Sequence, residues 1–366
     1  MNPYKRLSRL FPTRPAPENP GRIVLIRPCC IGDVMQATAA LKALRRGYPQ
    51  AQITFAVGGW SKRVIEHHDC FDAILDTGPA ANPAASVGGM RRFVAQLRAG
   101  DYDMAVSLVR SPLMSVAVWL SRIPDRVGLD SAGRGFGYTL RVPVDPAVAR
   151  PEAEIYLDVV RALGIDTTGC FVNVPVRDVD LTAVRARLLQ SGVTSPYLVV
   201  NPAGGGNPGM TMASKRWPPE QFAALIERVS AELNRQVVLL AGPDDGEIIA
   251  AVQTQLESPV PVFLGELSFG EIAGLAQLSS GYIGNDTGLT HLAAATGVKT
   301  IMILGPSDPV RYAPFTPNSL ALWQPSVLQE GGVAAGVPKG WTWDKDGIGV
   351  DAAVEKVLAF LLKIKA

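Results

Sequence analysis

Long hydrophobic runs are missing from this chain. No apolar stretch approaches the roughly 18 to 20 residues a membrane-spanning helix needs, and the N-terminus shows no apolar core followed by a cleavage site. A soluble, cytoplasmic protein is therefore expected. Cysteine and histidine are scarce, at four and three residues. Cys29, Cys30, Cys70 and Cys170 include no CxxC pair, and His67, His68 and His291 show neither HExxH nor Cys/His ligand spacing, so no metal site is expected. Cys70 and Cys170 read as small buried hydrophobes, whereas Cys29 and Cys30 occupy a turn of chemical interest. Neither sign of charge is in excess. The formal net charge is +2, and no basic domain of the kind that binds nucleic acid is present. The first βα turn also lacks GxGxxG, which disfavours a nicotinamide or flavin site.

What is present is a compact composition, 47% hydrophobic and 19% charged over 366 residues, enough for two domains. Residues 1–20 carry Lys5, Arg6, Arg9 and Arg14 among Leu7, Leu10 and Phe11. They read either as a frayed end or as a basic amphipathic segment that touches a membrane surface. From Arg22 strands and helices alternate. Ile23 to Ile26 is a strand, Arg27 to Gly32 a turn, and Val34, Ala37, Leu41 and Leu44 recur at helical spacing. The same alternation resumes at Tyr197 to Val200, followed by a long loop from Asn201 to Ser214 and a helix opened by Pro218 or Pro219. Two α/β domains of Rossmann-like pattern follow, 21–180 and 181–349, facing one another across a cleft. A terminal helix, 350–366, is expected to return to the first.

The most informative stretch is Gly284-Asn285-Asp286-Thr287-Gly288-Leu289-Thr290-His291, which reads as strand, polar turn and helix. Free amides at the helix start, with the Thr287 and Thr290 hydroxyls and His291 one turn in, would suit an anion such as phosphate. An ordinary capped helix is the plainer reading. Asp33, alone, likewise reads as a helix cap, although a carboxylate at a first βα turn lies where open α/β folds bind ligands.

Taken together, Ile31-Gly32-Asp33-Val34, Lys215-Arg216-Trp217-Pro218, Gly242-Pro243-Asp244-Asp245, Asp286-Thr287-Gly288-Leu289-Thr290-His291 and Gly305-Pro306-Ser307-Asp308-Pro309 occur in an order that resembles glycosyltransferase family 9, the bacterial ADP-heptose:lipopolysaccharide heptosyltransferases and their relatives. The resemblance implies a GT-B fold and metal-independent, inverting transfer from a nucleotide sugar, with no cofactor beyond that donor, expected to be an ADP-sugar. It also implies a glycan or glycolipid acceptor on the N-terminal domain; peripheral contact with the inner face of the membrane is the alternative offered by the basic residues 1–20.

Carried over by position, Asp33 would be the general base that deprotonates the acceptor hydroxyl. Arg27 and Gly32 would lie on the acceptor side. Lys215, with the Thr287 and Gly288 amides and the Thr287 hydroxyl, would meet the leaving diphosphate, and Thr211 and Ser214 would extend that cradle. Asp286 would bind sugar hydroxyls, and His291 would either orient the turn or touch ligand. Leu267 would sit beside the adenine, and one of Asp244, Asp245 and Glu247 would accept from the ribose. A GT-B epimerase and a non-catalytic nucleotide-sugar binder are the alternatives; product analysis without acceptor separates the first, binding without turnover the second.

Overall fold

The computed structural model describes residues 3–194, 196–207, 210–324, 328 and 337–363. The chain divides into two compact units, Met1–Val172 and Asn173–Ala366. In the first, α1 (Pro3–Leu7) precedes β1 (Arg22–Ile26), α2 (Ile31–Gly47), β2 (Gln52–Val57), β3 (Ala73–Asp76) and α3 (Val87–Ala99). Then come β4 (Met104–Ser107), α4 (Pro112–Leu120), β5 (Asp125–Ser131), β6 (Leu140–Val144) and α5 (Glu152–Arg161). The strands form one parallel sheet in the order β3-β2-β1-β4-β5-β6. Ile23 to Ile26 and Met104 to Ser107 are wholly buried, the continuous pattern of central strands covered on both faces.

Two of these elements go beyond the sequence reading. Helix α4, PLMSVAVWL, carries no charge to mark a polar face, so its period is faint, and only Pro112 at its start signals it. Strand β6 contains Pro143, tolerated because β6 closes the sheet as an edge. Helix α2 starts at Ile31 rather than Val34, so Gly32 lies in its first turn. Between β2 and β3 the chain makes a single 3-10 turn, Lys62–Val64. The N-terminal segment is not frayed. Tyr4 stacks on Phe136 with ring centroids 6.4 Å apart, Phe11 meets the Trp119 ring edge-on at 5.4 Å, and Arg141 donates to the Ser8 and Phe11 carbonyls at 2.9 and 2.8 Å.

The second unit opens with α6 (Asp178–Gln190), β7 (Tyr197–Asn201) and a hairpin of β8 (Gly206–Asn207) and β9 (Met210–Thr211). It continues through α7 (Pro219–Leu233), β10 (Gln236–Ala241), α8 (Gly246–Gln253), β11 (Val262–Leu264), α9 (Phe269–Leu278) and β12 (Gly281–Asn285). It ends with α10 (Gly288–Ala295), β13 (Thr300–Ile303), α11 (Pro309–Tyr312), β14 (Ser319–Leu322), α12 (Trp343–Asp346) and α13 (Val350–Leu362). Its parallel sheet has the order β11-β10-β7-β12-β13-β14, the same path as the first when counted within the unit. The unit boundary falls before residue 180 because α6 packs on α9: a Cβ on Gly270 would lie 2.7 Å from the Asp180 carboxylate. Phe171 to Val174, strand-like in its apolar content, forms no strand. Helix α13 belongs to the second unit. Its Ala353, Val354 and Val357 pack into the core formed by Phe222, Leu225 and Val229 of α7, and Lys299 Nζ donates to the Leu361 carbonyl at 2.8 Å. Of the stretch expected to be irregular, 325–327 and 329–336 lie outside the described residues.

Candidate active-site clusters

In a doubly wound sheet, ligands bind beyond the strand C-termini at the point where strand order reverses. In the first unit that point lies between β1 and β4. The turn after β1 supplies Arg27, Cys29 and Cys30, the last two joined by a disulfide. Asp33 is the third residue of α2, and one carboxylate oxygen accepts the Cys30 amide at 3.3 Å and the Arg27 guanidinium at 2.5 Å. Asp33 closes the capping box of α2, and its side chain is 34% exposed. Tyr156, from α5, donates to the other oxygen at 3.4 Å and lies under the Arg27 guanidinium, 5.4 Å from ring centre to carbon.

Burial opposes charge on Arg27, but Asp33, Tyr156 and Glu152 outweigh it and raise its pKa. Burial chiefly holds the Tyr156 phenol well above its ordinary value, so it remains a neutral donor. The turn after β4 supplies Arg110, which grips the buried Glu152 carboxylate at 2.6 and 2.7 Å. Tyr156, Glu152 and Arg110 were not anticipated. Their partners are 42 to 123 residues away in sequence, and α5 reads from its periodicity simply as an apolar face.

In the second unit the reversal lies between β7 and β12, and the loops after these strands bring Lys215 and Asp286 together at 2.6 Å. Ser307, from the turn after β13, donates to the same Asp286 oxygen at 2.6 Å. Burial would raise the Asp286 pKa, but Lys215, the Ser307 hydroxyl and His291 outweigh it and hold it below the usual carboxylate range. His291, buried on α10, thus helps keep Asp286 ionised. Thr287 is the N-cap of α10 and Gly288 its first residue, so both amides are in the first turn, where intrahelical bonding leaves donors open.

The Lys215 loop is clasped from below. Trp217 is buried; its amide donates to Asn285 Oδ1 and its indole to the Ile348 carbonyl, both at 3.0 Å, while Asn285 Nδ2 reaches the Pro202 carbonyl at 2.8 Å. Gly204, at φ +103°, lies so close to Thr287 that a Cβ would overlap its methyl, and Arg216 Nε holds the Gly204 carbonyl at 2.7 Å.

The remaining expected donor residues are placed as follows. Thr211 belongs to the β8–β9 hairpin, opposite Gly206; Ser214 sits in the 3-10 turn leading to Lys215. Asp286 meets both Lys215 and Ser307 through one carboxylate oxygen. Asp245 is engaged by the Gly242 amide at 3.2 Å and lies 3.7 Å from Arg216, while Asp244 and Glu247 are exposed. Leu267 is half-buried just ahead of the Ser268–Glu271 capping box of α9. Elsewhere, His68, Asp69 and Cys70 bring potential ligand atoms within 4.8 Å, but burial and Asp69 push the Cys70 thiol up to about 12, which opposes a thiolate.

Two doubly wound units of the same strand path, each with polar residues gathered at its strand-order reversal, are the components of the GT-B fold. The chain belongs to glycosyltransferase family 9, the heptosyltransferases, whose family model matches residues 90–330. It is 24% identical to lipopolysaccharide heptosyltransferase 3 of Escherichia coli over 304 residues, covering 80% of this chain and 86% of that protein. It is 26% identical to lipopolysaccharide heptosyltransferase 2 of Escherichia coli K12 over 294 residues, covering 79% and 84%. The fold matches a family 9 glycosyltransferase from Veillonella parvula with a TM-score of 0.81 at 22% identity, covering 95% of this chain and 99% of that one. It matches E. coli ADP-heptose lipopolysaccharide heptosyltransferase II at 0.71 and 22%, covering 93% and 98%.

Proposed function

We propose that the protein transfers heptose from ADP-heptose to a lipopolysaccharide-core acceptor, with inversion and without a metal ion. It would work in the cytoplasm, in peripheral contact with the inner face of the membrane. The observation that carries the reading is the division of labour between the two clusters: an accessible carboxylate in one unit and a half-buried, ion-paired lysine beside a helix N-terminus in the other. Asp33 takes the proton from the acceptor hydroxyl as its oxygen bonds to the anomeric carbon. The bond from that carbon to the diphosphate breaks, and ADP departs with the electron pair. Lys215 has three N–H donors; with one directed at Asp286, the others are available for phosphate oxygens beside the Thr287 and Gly288 amides. Asp286 serves chiefly to hold Lys215 in place. Asp244 or Glu247, both exposed, accepts from the ribose, and Leu267 flanks the base.

The test is calorimetric titration with ADP, UDP, GDP and dTDP in the presence of a chelator, followed by transfer from ADP-heptose to a heptose-deficient core oligosaccharide. Selective ADP binding and acceptor-dependent ADP release with an inverted product are expected. Preference for another nucleotide, a need for metal, or conversion of the donor without acceptor would overturn the reading.

A further inference from the structure

We propose that α4 and the N-terminal segment together form a docking surface for an anionic lipid bilayer, an inference that rests on the proposed membrane-borne acceptor. Helix α4 buries Met114, Ser115, Ala117 and Val118 against the sheet. Its other face, Leu113, Val116 and Trp119 at three-residue steps, is apolar, and Leu113 and Trp119 are 44% and 43% exposed. A soluble helix normally places polar residues there. The N-terminal segment extends this face: Phe11 packs on the Trp119 ring, and the adjoining Leu10 is 77% exposed.

The charge around the face indicates what covers it. From residue 3 to residue 17 the chain carries Lys5, Arg6, Arg9 and Arg14 and no carboxylate. All four are exposed, as is Arg122 just past α4. A self-association face gains nothing from gathering like charges at its rim, whereas apolar side chains ringed by cations match the acyl boundary and headgroups of an anionic leaflet. The segment is held in place by the Arg141 bonds to Ser8 and Phe11 and by the Tyr4–Phe136 stack, so the cations are presented on a fixed frame. Ser107 at the end of β4 pairs with Ile26 at the end of β1, so α4 starts from the sheet edge that carries Arg27, Asp33 and Arg110. Leu113 is three residues beyond Arg110. A bilayer against this face would bring a lipid-anchored acceptor to the edge holding the proposed base.

The experiment is co-sedimentation of the full chain with phosphatidylcholine vesicles and with vesicles that also contain phosphatidylglycerol. Binding to the anionic vesicles alone, lost at high salt, is expected. Arg6→Glu with Arg9→Glu should weaken it at least about tenfold, and Leu10→Glu with Leu113→Glu should do the same at low salt. Equal binding to both vesicles, no binding, or binding indifferent to these substitutions would overturn the proposal. So would a dimer that Leu10→Glu dissociates. ADP titration and transfer to a water-soluble core oligosaccharide, measured on the same variants, report the transferase reading independently.

Discussion

Replacing Asp33 with asparagine isolates proton acceptance from almost everything else the residue does. The amide keeps the shape of the carboxylate and an oxygen that can still accept from Cys30 or Tyr156, at the observed 3.3 and 3.4 Å. It loses the charge opposite Arg27 and the ability to take a proton. A general base contributes about 10²- to 10⁴-fold, or about 2.7 to 5.4 kcal/mol of barrier at 1.36 kcal/mol per decade. Turnover should therefore fall at least about a hundredfold. The stability cost should be near 1 kcal/mol, because Asp33 is about a third exposed and its ion pair is screened. Donor affinity should hold, since Lys215, Asp286 and Ser307 belong to the other unit. Single-turnover quench of radiolabelled donor, with ADP calorimetry and a melting curve on the same sample, separates the three quantities. A folded Asp33→Asn protein that binds ADP normally and loses less than about tenfold in rate would refute the assignment.

Lys215→Ala should weaken ADP binding and also destabilise the fold by about 3 to 5 kcal/mol, because it strands the buried Asp286 charge. Lys215→Ala with Asp286→Ala should recover much of that stability in denaturant titration without recovering ADP affinity; additive losses would show that the two are not coupled. The depressed Asp286 pKa has its own signature: its contribution is complete above the unfolded value near 3.9 and is lost as pH falls through the lower folded value. Acid unfolding of Asp286→Asn should therefore be shallower below about pH 4. Trp217→Phe removes the indole bond to the Ile348 carbonyl and should cost about 1 to 2 kcal/mol in denaturant titration. Tyr156→Phe should leave ADP affinity unchanged and lower single-turnover rate a few-fold, because the proposed base loses a hydrogen bond that orients it.

The alternating pattern was legible because its signals are local. The Ser268–Glu271 box, Pro219 at the start of α7 and the buried runs of β1 and β7 each announce themselves within a few residues. Asp33 stood out for its place on a βα turn, and Lys215 through the resemblance to family 9. Long-range partners were not legible: no spacing rule connects Tyr156 to Asp33 or Ser307 to Asp286, since only the sheet order brings those loops together. The choice among Asp244, Asp245 and Glu247 was open for the same reason, because Asp245 is distinguished by its own turn amide and by Arg216 from a distant loop. Helix α4 escaped notice because its exposed face is as apolar as its buried one.

The repeated strand path has an evolutionary consequence. Each unit builds its cluster on its own sheet, from the loops after its first and fourth strands together with α5 in the first unit and the turn after β13 in the second. Under the proposed function, changes around Arg27, Arg110 and Glu152 can therefore explore new acceptors while the Lys215–Asp286–Ser307 frame stays fixed, and the reverse holds for donors. A catalyst partitioned in this way can diversify one specificity at a time, and chimaeras exchanging whole units at the Val172–Asn173 boundary are the natural means of re-pairing them.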